Sequence, residues 1–445
     1  MKLWQKDKAS LQEVEKFTIG KDQEMDMFLA RFDVLGSLAH IKMLESINLL
    51  RKDELEILST ELRTIYKRIT YGQFKVEEGV EDIHSQVELE LTRRLGDVGK
   101  KIHSGRSRND QVLVDVKLYL RYEIQEVVAE IKNLFDLLIT QSEKFKQHLL
   151  PGYTHLQLAM PSSFGLWFGA YAESLIDDVI TLQAAYRVSN KNPLGSAAGY
   201  GSSFPLNRTM TTELLGFENL NYNVVYAQMG RGKTERIVAS ALTNVAATLG
   251  KLAMDACLFL NQNFDFIKFP DELTTGSSIM PHKKNPDVFE LIRARCNQIA
   301  SLPNSILMLT ANLPSGYHRD LQLLKEILFP AIQNLKDCMK MTQLMLSNIQ
   351  VKENILQDDK YKFLFSVEEV NKLVLSGVPF RDAYKRIGID IEKGKYAPEK
   401  TVEHTHEGSI GNLNHSDVNK MMDDVLAQFQ FGKIEEAFGK LLQPS

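Results

Sequence analysis

The sequence predicts an all-α protein built around a bundle of long helices, and three observations predict it. No glycine or proline occurs between Gly105 and Pro151, and through that stretch apolar residues recur at Val112, Val116, Leu120, Ile124, Val127, Ile131, Leu134 and Leu138. They stand three or four apart, the spacing of one helical face. Similar periodicity runs from Phe164 to Arg187, from Thr234 to Asn263, from Asp287 to Leu302 and from Pro330 to Ile349. Alternating strand patterns are few. At 1.5 Å per residue the first of these helices would span roughly 60 Å, more than a compact domain requires, so the five should pack lengthwise as a central bundle.

Taken in chain order, residues 1–105 read as a separate N-terminal unit of shorter helices, Met25 to Leu50, Lys52 to Thr70 and Glu81 to Leu95. Residues 106–355 hold the long-helix domain. From 356 to 445 the periods shorten again, with helices over Ser366 to Leu375 and Arg381 to Ile387 and a polar stretch at His404-Thr405-His406-Glu407-Gly408, a small C-terminal domain. No repeat or low-complexity tract interrupts the chain. Helices this long carry more apolar surface than their own neighbours cover, so association with identical subunits is expected; the alternative is a monomer whose terminal domains cap the bundle.

Composition excludes several classes of function. In 445 residues, 53 basic and 57 acidic side chains leave a net charge of -4, so no whole-protein field favours nucleic acid or an anionic membrane. Cys257, Cys296 and Cys338 are odd in number, far apart and set in apolar helical stretches, which fits reduced core residues better than disulfides or zinc ligands. The histidines lack metal-ligand spacing, and there is neither a P-loop nor a glycine-rich dinucleotide turn after a strand. Side chains alone, without cofactor or metal, are expected to do the chemistry. The segment Met1 to Lys8 has no apolar run of signal-peptide length and charges interrupt every candidate membrane span, so a cytoplasmic location is expected.

Four segments concentrate polar residues at breaks in the helical pattern. The richest is Thr275-Gly276-Ser277-Ser278-Ile279-Met280-Pro281-His282-Lys283-Lys284-Asn285-Pro286-Asp287. Its glycine allows close approach, its serines set hydroxyls beside backbone N–H groups, Lys283 and Lys284 bring positive charge, and Asn285 adds a neutral donor. An oxyanion site fits this string better than a solvated turn. The second, His103-Ser104-Gly105-Arg106-Ser107-Arg108-Asn109-Asp110-Gln111, precedes the longest helix, where arginine forks and the unpaired N–H groups of a helix start suit a carboxylate. Ser107, Asn109 or Asp110 would also serve as the cap of that helix. In the third, Pro151-Gly152-Tyr153-Thr154-His155-Leu156-Gln157, His155 lies in a turn instead of on an apolar helix face, which favours acid-base work or ligand binding. His84, in a helical stretch, reads as structural. The fourth is Tyr317-His318-Arg319-Asp320-Leu321-Gln322-Leu323-Leu324-Lys325; if helical, it puts Gln322 and Lys325 on one face.

On these residues the chain resembles the fumarase/aspartase superfamily, and within it the argininosuccinate lyases. The loop from Gly276 matches GSSxMPxKxNP, while the GRSRNDQ, GYTHLQ and PxKKNPD versions are those of the argininosuccinate lyases. Asp33 to His40, Glu81 to His84 and Gly377 to Arg381 extend the likeness over most of the chain. The resemblance implies three α domains, a homotetramer around a 20-helix core, and active sites built from several subunits. It implies reversible β-elimination of argininosuccinate to arginine and fumarate, in arginine biosynthesis, without a cofactor. By motif position, Ser277 resembles the catalytic serine, His155 the catalytic histidine and Glu290 the carboxylate paired with it; Lys283 and Asn285 suit the charge that develops on the substrate. Ser107, Arg108, Asn109, Thr154, Tyr317, Gln322 and Lys325 match or adjoin substrate-contacting positions. Three departures stand out. Phe17-Thr18-Ile19-Gly20-Lys21-Asp22 lacks the serine of an F-x-x-S context, with Thr18 as a possible stand-in; Gln228-Met229-Gly230-Arg231-Gly232 replaces S-D-R-D; and Asn207-Arg208 replaces D-R. They leave a lyase for a different amino- or guanidino-succinate as the alternative.

Overall fold

A computed structural model of the protein describes residues 12 to 276 and 278 to 444. Its centre is the five-helix bundle, with Arg108–Lys144, Phe164–Ser189, Lys233–Leu260, Asp287–Ala300 continued by Leu302–Leu309, and Leu324–Ser347. Val127, Ile131, Leu134 and Leu138 of the longest helix are fully buried, as their spacing requires, and face Phe168, Leu175, Val179 and Leu182 of the next within one core. Polar ties cross the bundle where apolar packing alone would leave helix register loose. Asp255 accepts from Trp167 Nε1 at 3.1 Å and Tyr171 Oη at 2.6 Å, and Lys336 pairs with Glu123 at 2.6 Å.

The helix starts follow from local chemistry. Ser107 caps the longest helix, its Oγ accepting from the N–H of Asn109 at 3.3 Å while Asp110 Oδ1 accepts from the N–H of Ser107 at 2.8 Å. That closes a capping box. Ser163 caps the second helix through the N–H of Leu166 at 3.1 Å, and Glu235 reaches back to the N–H of Gly232 at 2.7 Å to open the third. The fifth begins before Pro330, not at it. A 3-10 turn over Arg319–Leu323 runs straight into Leu324–Ser347, so Pro330 lies inside the helix and Lys325 in its first turn.

Between the first two bundle helices lies an antiparallel hairpin, Leu149–Thr154 paired with Gln157–Ser163. A Cβ at Gly152 would come within 2.8 Å of the Met160 carbonyl, so only glycine fits the bulge there. Before the bundle come Gln12–Ile19, Asp22–Asp26, Ala30–Ser46, Lys52–Thr70 and Ile83–Leu95; after it come Ser366–Leu375, Phe380–Glu392, His415–Leu426 and Phe431–Leu442. The Lys233–Leu260 helix is long and apolar enough to cross a membrane, but Val238, Leu242, Val245, Leu249 and Leu252 are buried against the bundle instead. Elsewhere on the bundle Ile180, Met254, Leu291, Leu307, Met308, Met341 and Leu344 stay exposed, apolar surface that a single chain leaves in water.

Candidate active site

The start of the Arg108–Lys144 helix, the Tyr317 to Lys325 segment and the N-terminal helices converge on a cavity of about 250 Å³. Arg108, Asn109, Tyr317, Gln322 and Lys325, five of the residues singled out in the sequence, line it. Ser107 does not line it; its hydroxyl is spent on the helix cap. Arg108 is held by Asp82 at 3.1 Å, Glu81 at 3.4 Å and Ser85 Oγ at 2.7 Å. Gln322 donates through Nε2 to the carbonyls of Thr18 at 3.1 Å and Ile19 at 3.0 Å, tying the N-terminal helix to the cavity wall. Lys325 is buried between Asp26, at 2.5 Å, and Asp22. Burial would lower the Lys325 ammonium, but Asp26 and Asp22 outweigh it and hold it above its ordinary value.

Under the cavity floor sits a fully buried polar cluster. His84 lines the cavity, and its Nδ1 lies 2.8 Å from Asp33 Oδ1 and 3.5 Å from Asp115 Oδ2. Gln111 donates to the same Asp33 oxygen at 2.7 Å. Burial alone would raise Asp33, but His84, Arg106 and Gln111 together hold it below the usual carboxylate range. Burial and the neighbouring Asp33 push Asp115 well above that range. Asp33, Asp115, His84 and Arg106 thus form one set of mutually coupled buried charges. Among the described residues Asp33, His84 and Asp115 are the one set whose donor atoms could converge on a metal. A guanidinium, Arg106, already acts on the same carboxylates, so the donor set suits charge pairing better than a cation.

The remaining residues lie at the other end of the bundle. Thr154 and His155 sit at the hairpin tip, exposed, and His155 and Leu156 take φ of 53° and 58°. A two-residue turn joining right-twisted strands demands such angles. The helix leading from the cavity to that hairpin has 37 residues, which puts about 55 Å between its ends. The Lys233–Leu260 helix likewise leads about 40 Å away from Arg231 in the cavity wall. Beyond it, Thr275–Gly276 pairs with Lys284–Asn285 to form a second short hairpin, with Lys283 exposed in its loop beside the second strand and Glu290 exposed in the first turn of Asp287–Ala300. Tyr153 meets Phe264 edge-on at 5.5 Å, which keeps both hairpins at this end. Ser277 lies outside the described residues, and among those described no hydrogen bond or ion pair joins His155 to Glu290. Within one chain the residues predicted from the sequence thus fall into two separated groups.

A family model described as "Lyase" matches residues 4–301. An argininosuccinate lyase of Parabacteroides distasonis is 65% identical over 441 residues, 99% of each chain, and that of Bacteroides thetaiotaomicron 64% over the same span. The chain belongs to the argininosuccinate lyase family. A more distant argininosuccinate lyase, from Thermotoga neapolitana, is 37% identical over 90% of this chain and 99% of its own. Among solved structures, an EDDS lyase variant with bound fumarate matches with a TM-score of 0.76 at 19% identity, covering 98% of this chain and 95% of that one. The class II fumarase of Schistosoma mansoni follows at 0.70 and 15%, covering 97% and 94%. At such identities the likeness speaks for the fold alone, and that fold is the all-α, fumarase-like architecture expected from the sequence.

At the three departures this argininosuccinate lyase family member shows definite contacts. Arg231 lacks the two flanking acids of S-D-R-D but pairs with Glu235 one turn later at 2.8 Å, and it donates to the Leu321 carbonyl at 2.8 Å. Asn207 takes over a capping role, accepting from the N–H of Met210 at 2.9 Å, while Arg208 holds the carbonyls of Leu194 and Asn221. The Thr18 hydroxyl donates to the Val14 carbonyl at 2.9 Å. Asp22, Asp26, Glu81, Asp82 and Arg319 also line the cavity, and the sequence had not marked any of them as a site residue. The signals available were the i, i+4 spacing of Asp22 and Asp26, the Glu81 to His84 motif and the place of Arg319 in a polar segment.

Proposed function

We propose that the protein is an argininosuccinate lyase that cleaves argininosuccinate reversibly to arginine and fumarate. The observation that carries this reading is the 65% identity to an argininosuccinate lyase across essentially both whole chains. The convergence of Arg108, Asn109, Tyr317, Gln322 and Lys325 on one cavity supports it.

The physical problem is removal of a weakly acidic C–H proton beside a carboxylate, which leaves a doubly charged, carbanion-like intermediate. Electrostatic stabilisation must supply most of the rate. Lys283, Asn285 and the backbone N–H groups of their loop would hold that charge. The same groups would stabilise the alkoxide of Ser277, since an unassisted serine is too weak a base at neutral pH. His155, oriented by Glu290, would handle the proton on the leaving guanidino side, so that Ser277 and His155 divide acid and base work between them. Thr154 and Asn109 belong to the substrate-binding set, with Ser107 holding the helix start beneath them, Arg108 anchoring a carboxylate and Tyr317, Gln322 and Lys325 receiving the amino-acid half.

In this reading the two groups are half-sites that meet only in the homotetramer, a hairpin and loop from some subunits closing over the cavity of another. The exposed bundle residues, among them Leu291 and Met308, would form the 20-helix core. The division into domains 1–105, 106–355 and 356–445 and a cytoplasmic location are part of the same proposal. Fumarate release from argininosuccinate, followed by ultraviolet absorbance, tests it. Turnover by the purified protein and its loss in Ser277→Ala are expected. No fumarate from argininosuccinate, with release from adenylosuccinate or another amino-succinate, would reassign the substrate.

A further inference from the structure

The cavity holds one carboxylate more than its own cations match. Of the cations on its wall, Arg231 is neutralised by Glu235, which lies outside the cavity. Arg319 answers Glu81 at 3.0 Å, Arg108 answers Asp82 at 3.1 Å, and Lys325 answers Asp26 at 2.5 Å. Asp26 is fully engaged, because its second oxygen accepts from the N–H of Ile83 at 3.4 Å. Asp22 is left over. It shares the Lys325 ammonium with Asp26, and its Oδ1 is buried against that ammonium without a directed hydrogen bond. Burial and the adjacent Asp26 push the Asp22 carboxyl up to about 6, as expected for a site short of one positive charge. The N-terminal segment therefore offers the cavity a carboxylate, while the hydroxyl of Thr18 is turned back into its own helix.

We infer that Asp22 is a specificity-determining residue, whose carboxylate receives the α-ammonium of the substrate's amino-acid head while Lys325 beside it takes the α-carboxylate. The inference rests on the argininosuccinate reading above. A zwitterionic α-amino-acid head presents an ammonium and a carboxylate side by side, and Asp22 with Lys325 presents the complement. On binding, Lys325 keeps Asp26 and exchanges Asp22 for the ligand carboxylate, and Asp22 turns to the ammonium. The swap leaves every buried charge paired, so the head group enters without an uncompensated ion.

The test compares two ligands of the whole enzyme by calorimetry, L-arginine and 5-guanidinopentanoate, which lacks only the α-ammonium. The wild type should prefer arginine by about tenfold or more, the discrimination of a site built around a polar group that the analogue leaves unpaired. Asp22→Asn should bind the analogue at least as tightly as the wild type does and lose most of the preference, with KM for argininosuccinate rising more than kcat falls. Equal weakening of both ligands in Asp22→Asn, or an intact preference, would overturn the assignment. Asp22→Ser serves as the second variant. If neither variant folds, the wild type alone decides, because its preference for arginine should shrink as pH falls below about 6. The groups facing Asp22 are Asp26, Asp82 and Lys325, and a preference unchanged across that range would refute its role. Wild-type fumarate release from argininosuccinate is scored separately, so a wrong reaction and a wrong role for Asp22 give different results.

Discussion

Replacing Lys325 by methionine removes the cation between Asp22 and Asp26 while keeping most of the side-chain volume. The lysine is 5% exposed, Asp26 1% and Asp22 15%, so water cannot substitute for it. At the 2.5 Å separation from Asp26, an effective dielectric of about 20 gives a lost attraction of roughly 7 kcal/mol. The variant escapes part of this by taking up a proton. Asp22 already titrates at about 6, and each unit by which a carboxyl must rise to stay neutral costs about 1.4 kcal/mol. A net loss of about 3–5 kcal/mol is the expected result, as for other buried pairs broken on one side. The pH dependence has a definite sign. Without Lys325 the folded variant holds carboxyl protons that the unfolded chain has released, so its stability falls as pH rises through and above about 6. Urea denaturation followed by circular dichroism, at fixed protein concentration, should show the gap to the wild type wider near about pH 8 than near about pH 5. A gap under about 1 kcal/mol, the scale of an exposed ion pair, or one that widens on acidification would refute the reasoning.

Other substitutions test other parts of the account. His155→Gly should abolish fumarate release yet leave the protein as stable or up to about 1 kcal/mol more so, since the position has φ of 53° and glycine tolerates it freely; marked destabilisation in a thermal melt would contradict the hairpin geometry. Asp110→Ala removes the acceptor for the N–H groups of Ser107, Gly195 and Ala197. A loss of about 2–4 kcal/mol is expected in denaturation, with faster hydrogen exchange at Gly195 and Ala197; unchanged exchange there would sink it. His40 is buried, and burial, then Arg106, depresses its imidazole to about 3, so the folded state refuses a proton that the unfolded chain accepts below about 6.5. Stability gained from the neutral ring is present at neutral pH and lost as pH falls through that window, and His40→Asn should flatten this acid limb.

The bundle was readable because its causes are local. The Arg108–Lys144 helix has no breaker, a complete apolar face and a Ser107–Asp110 box at its start, and each is a property of neighbouring residues. The hairpin tip was not readable as such. Neither His155 nor Leu156 favours positive φ, and no Asn-Gly marks the turn, so the surrounding strands impose a conformation that the residues would not choose. Pro330 misled in the opposite direction, because proline usually opens a helix and here the preceding 3-10 turn had already done so. The site divided along similar lines. Motif residues such as Arg108 and Lys325 stood out, but the acids answering the cavity's cations come from well outside their own segments, through contacts such as Lys325 with Asp22, Arg319 with Glu81 and Arg108 with Asp82 that no spacing encodes.

In the proposed assembly a working site takes its hairpin and its cavity from different chains. His155→Gln disables the hairpin and Asn109→Ala the cavity, about 55 Å apart along one helix. Each variant alone should be folded and inactive. Unfolded together in equal amounts and refolded, they should regain about one quarter of wild-type fumarate release, the fraction of sites that draw both intact halves from different chains. A mixture that assembles normally and stays inactive would contradict the account.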